Sequence, residues 1–225
     1  QNAKRLRPET EFRCVTFDSI YSKAADNSDT YEYHAIIKCG ASLKGLSPDT
    51  RYEYMIVDKQ GSSASQVHSF VTAGAESWTC CIISDFHAYT PLMHRQVDAM
   101  AMIDAVSRFR PFQWVLHLGD ITAWGGSFSF WQSLYAERHF TDYMWAGVNG
   151  NHDNMTRGFV RTSNDFFRQT NYYPENGYLR EEGVCYHFRY GEVMFVMLNS
   201  EDMRTAEGFE AARSWLEKVV TDARN

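Results

Sequence analysis

Three apolar runs, each broken at its end by glycine or aspartate, constrain this chain more than any other feature. They are Thr79-Cys80-Cys81-Ile82-Ile83-Ser84, Phe112-Gln113-Trp114-Val115-Leu116-His117-Leu118 and Met144-Trp145-Ala146-Gly147-Val148. The strings that follow them are Asp85-Phe86-His87, Gly119-Asp120 and Gly150-Asn151-His152-Asp153. Short apolar runs with turn residues after them and helical stretches between them predict successive strands of a parallel sheet. In an open α/β sheet, functional groups gather in the loops beyond the carboxyl ends of the strands. The pattern therefore delivers Asp, His, Asp, Asn and His, in that order, to one edge.

Asp85 and His87 lie two apart, so extended backbone would put both on one face. A carboxylate oxygen beside a neutral imidazole nitrogen suits zinc, iron or manganese. Each string alone is ordinary: Asp-x-His is common, Gly-Asp is turn chemistry, and Gly-Asn-His-Asp fits a loop with an Asx-turn. In order, after three strand-like runs, they resemble the calcineurin-like metallophosphoesterases, whose motifs run D-x-H, G-D and G-N-H-D/E. The resemblance spans roughly residues 76 to 200. It implies an α/β fold of the metallophosphoesterase sandwich type, holding two divalent or trivalent transition-metal ions (manganese, iron or zinc). It also implies hydrolysis of phosphate mono- or diesters by metal-activated water, with ions ~3.5–4 Å apart. By that resemblance Asp85 and His87 bind one ion, Asp120 bridges two, and Asn151 binds the second through its amide oxygen. His152 is then the group that stabilises phosphoryl charge or protonates the leaving oxygen. Asp153, its neighbour, is expected to hold the His152 ring in one tautomer.

The first 74 residues read differently. Strand-length segments at Thr30–Ile37, Arg51–Val57 and Phe70–Gly74 are separated by turn-forming stretches at 24–29, 45–50 and 59–63. This predicts a small all-β sandwich over residues 1–74, ahead of an α/β domain over 75–225. The string Leu46-Ser47-Pro48-Asp49-Thr50-Arg51-Tyr52-Glu53-Tyr54 resembles the L-x-P-x-T-x-Y-x-Y signature of fibronectin type III domains. Tyr52 is the candidate corner tyrosine; it is equally one face of a strand with Tyr54. That domain order resembles purple acid phosphatases and, by association alone, points to a secreted or periplasmic setting. Cys14 and Cys39 are left open as a bridge or two thiols. The five cysteines show no metal-ligand spacing.

Further along, Pro91–Arg110 predicts an amphipathic helix with Leu92, Val97, Met100, Ile103, Val106 and Phe109 inward. Phe128–Phe140 and Ala206–Val220 predict two more helices, and Gly183–Asn199 a hairpin around Tyr190-Gly191. The family's Y-x-F…G…F-x-x-L pattern is matched there by Tyr186, Phe188, Gly191, Phe195 and Leu198, a structural role.

Two departures from the family matter. Purple acid phosphatases carry a tyrosine three residues past the Gly-Asp aspartate; here that position is Ala123, so a colourless centre is expected. The family also completes its site with later histidines, whereas none follows His187. The chain is therefore expected to be the front part of a catalytic domain, and Gln1 in place of Met suggests a trimmed product.

The aromatic stretch Trp124–Trp131 is either a pocket wall near Asp120, with Trp124 as a substrate contact beside Asn151 and His152, or the buried start of a helix. Tyr172–Tyr178 is a second loop expected to overhang the metals. A hydrophobic fraction of 44% supports a packed core, and a net charge of -6 argues against nucleic acid as the partner. No apolar run is long enough to cross a membrane. A phosphoesterase acting on a small or macromolecular phosphate ester is the leading reading. A non-catalytic binding protein on a degenerate scaffold, or a metallo-hydrolase of another ester or amide, are the alternatives.

Overall fold

The computed structural model describes residues 9–23, 29–74, 77–89, 95–126, 128–137, 139–155 and 165–224. Two antiparallel ribbons come first. Strand β1 (Glu9–Lys23) pairs with β2 (Asp29–Ser42) through a register shift between Phe17 and Ile20, and β3 (Arg51–Tyr54) pairs with β4 (His68–Val71). The length of β1 was not foreseen. The ribbons form separate two-stranded sheets. The Tyr52 hydroxyl accepts the Ser47 N–H at 2.8 Å. Cys39 is a free thiol, and the register sets it opposite Phe12 while Cys14 lies opposite Ile37, so the two do not form a bridge.

The remainder follows the predicted order, with the short helix α3 as an addition: β5 (Cys80–Ile83), α1 (Arg95–Phe109), β6 (Trp114–His117), α2 (Phe128–Tyr135), β7 (Met144–Gly147), α3 (Asp165–Thr170), β8 (Tyr186–Tyr190), β9 (Val193–Met197) and α4 (Ala206–Arg224). Strands β5, β6 and β7 form a parallel sheet with β6 in the centre. All four β6 residues are buried, as a strand covered on both faces requires.

Side-chain alternation along the strands sorts the core into layers. Val115 on β6 packs with Met100 and Ile103 of α1 and with Trp131 and Leu134 of α2. Trp114 and Leu116 point the other way, onto Tyr186, Tyr190 and Met197 of the β8–β9 hairpin. The hairpin's outer side, Met194 and Val196, meets Ala212, Trp215 and Val219 of α4. The order is therefore helix, parallel sheet, antiparallel hairpin, helix. No described helix is long and apolar enough to cross a membrane.

The buried face of α1 differs from the expected one. Gln96, Ala99, Met100 and Ile103 point inward, while Val97, Val106 and Phe109 face solvent. The inward set follows i, i+3, i+4, i+7 from Gln96, whose side-chain oxygen accepts the Tyr89 N–H. Counting apolar residues alone misses a polar residue that defines the stripe. Leu92 and Pro91 lie outside the described residues.

Candidate metal centre

Backbone pairing continues beyond the strands and brings the three strings together. Asp85 N–H donates to Gly119 O at 3.1 Å, His87 N–H to Asp120 O at 3.1 Å, and Ala88 N–H to Ile121 O at 2.7 Å. The first two strings thus run side by side as loops. The third is joined to them by His152 N–H, which donates to Asp120 Oδ1 at 2.8 Å.

The expected extended backbone at Asp85-Phe86-His87 is not what forms. Asp85, His87 and Asp120 all adopt left-handed conformations, with φ of 56°, 48° and 52°. Non-glycine residues rarely sit there, and such strain concentrates at functional loops. Phe86, between the pair, is buried in the core. Asp85 and His87 share one side because Phe86 anchors the loop, with left-handed turns on either side of it.

His87 Nε2 lies 3.7 Å from Asp120 Oδ2 and 3.8 Å from Asp85 Oδ1. The His87 and His152 rings meet edge to face at 4.5 Å. His87, Asp120 and His152 each offer one ligand atom, all within 4.8 Å of one another. Asp85 flanks this trio, exposed and hydrogen-bonded by Ser84 Oγ. Burial, and then the neighbouring His152, push the His87 pKa down, which favours the neutral, lone-pair form that binds a cation. The His87 imidazole and the Asp120 carboxylate are donors suited to a zinc, iron or manganese ion, and the His152 imidazole lies beside them.

His152 Nδ1 lies 2.8 Å from the Ala123 carbonyl. A carbonyl only accepts, so Nδ1 carries the proton and Nε2 is left with the lone pair. The expected tautomer-setting partner, Asp153, does not perform that task. It is buried, and its carboxylate accepts the Thr122 N–H and hydroxyl, each at 2.9 Å, and the Gly150 N–H at 2.9 Å. It ties the second loop to the third. Burial raises its pKa to about 6 against the pull of those hydrogen bonds. Asn151 opens the turn His152–Asn154 without a side-chain cap, on the same loop.

The Trp124 ring lies 5.0 Å from His152, whereas Phe130 and Trp131 are wholly buried in the core. In the Tyr172–Tyr178 loop, two tyrosines turn into the core rather than over the centre. Tyr173 stacks on Tyr186 at 4.7 Å, and Tyr178 is buried against Trp215.

Sequence reasoning missed His117, the last residue of β6. Its Nδ1 accepts the Gly119 N–H at 3.1 Å, and burial drives its pKa down to about 3. The available signal was a lone polar residue ending an apolar strand two positions before Gly119.

Beyond the carboxyl edge of the parallel sheet, histidine and aspartate gather into one cluster that could hold a metal ion. The chain belongs to the calcineurin-like phosphoesterase family, whose profile matches residues 79–222. Its fold resembles that of a purple acid phosphatase from yellow lupin (Lupinus luteus) seeds, with a TM-score of 0.67 at 16% identity. That match covers 96% of this chain and 42% of the lupin chain, so this chain spans less than half of the lupin protein. No curated protein matches the sequence.

Proposed function

We propose that this chain hydrolyses phosphate monoesters or diesters at a dinuclear transition-metal centre. The observation that carries the reading is the convergence of His87, Asp120 and His152 within 4.8 Å beyond the carboxyl ends of the sheet. His87, Asp120 and the flanking Asp85 would hold one ion, and Asp120 with the Asn151 amide oxygen would share the second. Bound metal supplies Lewis acidity toward phosphoryl oxygens and a lowered pKa for water. The chain's own residues do the rest. Left-handed backbone fixes the Asp85, His87 and Asp120 donors before any ion arrives, so little reorganisation accompanies binding. His152, held through Nδ1 by Ala123, presents Nε2, which when protonated would stabilise phosphoryl charge or donate its proton to the leaving oxygen. Trp124 packs on His152 and would face the organic part of the ester. Strands β1–β4 would be elements of a fibronectin-like sandwich, consistent with a secreted or periplasmic setting.

The test pairs metal content by elemental mass spectrometry with turnover of 4-nitrophenyl phosphate and bis(4-nitrophenyl) phosphate. Wild type should carry about two ions per chain and cleave at least one substrate, and Asp120→Asn should lose both properties. Full activity in the variant would sink the assignment.

A further inference from the structure

His117 does more than fill the core. We propose that His117 is a positioning residue, whose imidazole accepts the Gly119 N–H and so holds the turn that aims Asp120 at His87 and His152.

The parallel ladder runs through Leu118, whose N–H donates to Ile83 O at 2.9 Å, and through Val148, whose N–H donates to His117 O at 2.9 Å. At Gly119 the chain leaves the ladder with φ 103°, and Asp120 follows at 52°. Gly119 is buried, so its N–H needs an internal acceptor. His117 Nδ1 provides it across two residues, as an Asx side chain does in a turn. That bond dictates the tautomer. Nδ1 carries the lone pair and Nε2 the hydrogen, and Nε2 has no hydrogen-bond partner among the described residues. An apolar side chain would fill this position without burying an unpartnered N–H. The imidazole is therefore explained by what Nδ1 does.

The same ring touches the other ligand loop. It meets Phe86 edge to face at 4.9 Å, and Phe86 separates Asp85 from His87. One buried side chain thus bears on two of the three strings, by a hydrogen bond on one and by packing on the other.

The proposal rests on the reading that Asp120 holds metal, so Asp120→Asn serves as its control. Mn²⁺ and Zn²⁺ affinities are measured by chelator competition on wild type, His117→Leu, His117→Asn and Asp120→Asn. Asparagine places Oδ1 about where Nδ1 lies, so it should keep affinity within about threefold. Leucine should weaken binding tenfold or more while the apo protein still melts cooperatively. Wild-type affinity in His117→Leu overturns the positioning role. Unchanged affinity in Asp120→Asn overturns the site reading instead. ¹⁵N shifts of the His117 ring in the wild-type protein provide a readout independent of any variant: an unprotonated Nδ1 supports the bond, and a protonated Nδ1 refutes it even if the leucine variant fails to fold.

Discussion

Acid should unfold this protein partly through His117, and His117→Asn should remove that share. The ring is 1% exposed, and burial takes its pKa from 6.5 to about 3. In the unfolded chain it titrates near 6.5, so the native state binds fewer protons between those values and loses stability as the pH falls. The contribution is intact above pH ~6.5 and drains away toward pH ~3. Each pH unit is worth ~1.4 kcal/mol, which gives a ceiling of ~5 kcal/mol across the window and ~2 kcal/mol at pH 5. With an m-value near 2–3 kcal/mol per molar of urea, that is a midpoint loss of roughly 0.7–1 M. Urea midpoints at pH 7.5 and pH 5.0, taken for wild type and His117→Asn, isolate the effect, because the other titrating groups are common to both. The wild-type midpoint should fall further than the variant's by about that amount. If the two fall in parallel, His117 is not the buried neutral imidazole described above.

Two further outcomes follow from the loops. Asp153→Asn should destabilise by about 1–3 kcal/mol, because an amide group would turn N–H toward the donors of Thr122 or Gly150; thermal or urea unfolding measures it, and a loss below ~0.5 kcal/mol would contradict the bracing role. Gly150→Ala should weaken metal binding at least tenfold, since a Cβ there would collide with the Asp120 carboxylate and backbone N–H; chelator competition with Zn²⁺ reads it, and wild-type affinity would show that Asp120 can move without consequence.

Much of the fold was legible because it rests on local chemistry. Each apolar run became β5, β6 or β7 within two residues of its predicted ends, and the Tyr190-Gly191 hairpin formed as read. Glycine and aspartate after each run mark where a buried strand must stop. The inward face of α1 was less legible, because Gln96 belongs to it through a hydrogen bond that composition does not reveal. Strand β1 was not assigned because its apolar and polar residues do not alternate strictly, although the turn-forming stretch 24–29 follows it directly.

The sequence alone determined which donors arrive at the sheet edge and in what order, because strand polarity in a parallel sheet carries every loop to the same side. Tertiary structure decided what each donor does there. It turned Asp85, His87 and Asp120 into left-handed backbone. It gave the His152 tautomer to a carbonyl rather than to Asp153, and it placed His117 beneath the turn. Those outcomes depend on which buried donors lack acceptors once the layers close, and pairing between distant loops settles that. Spacing along the chain does not.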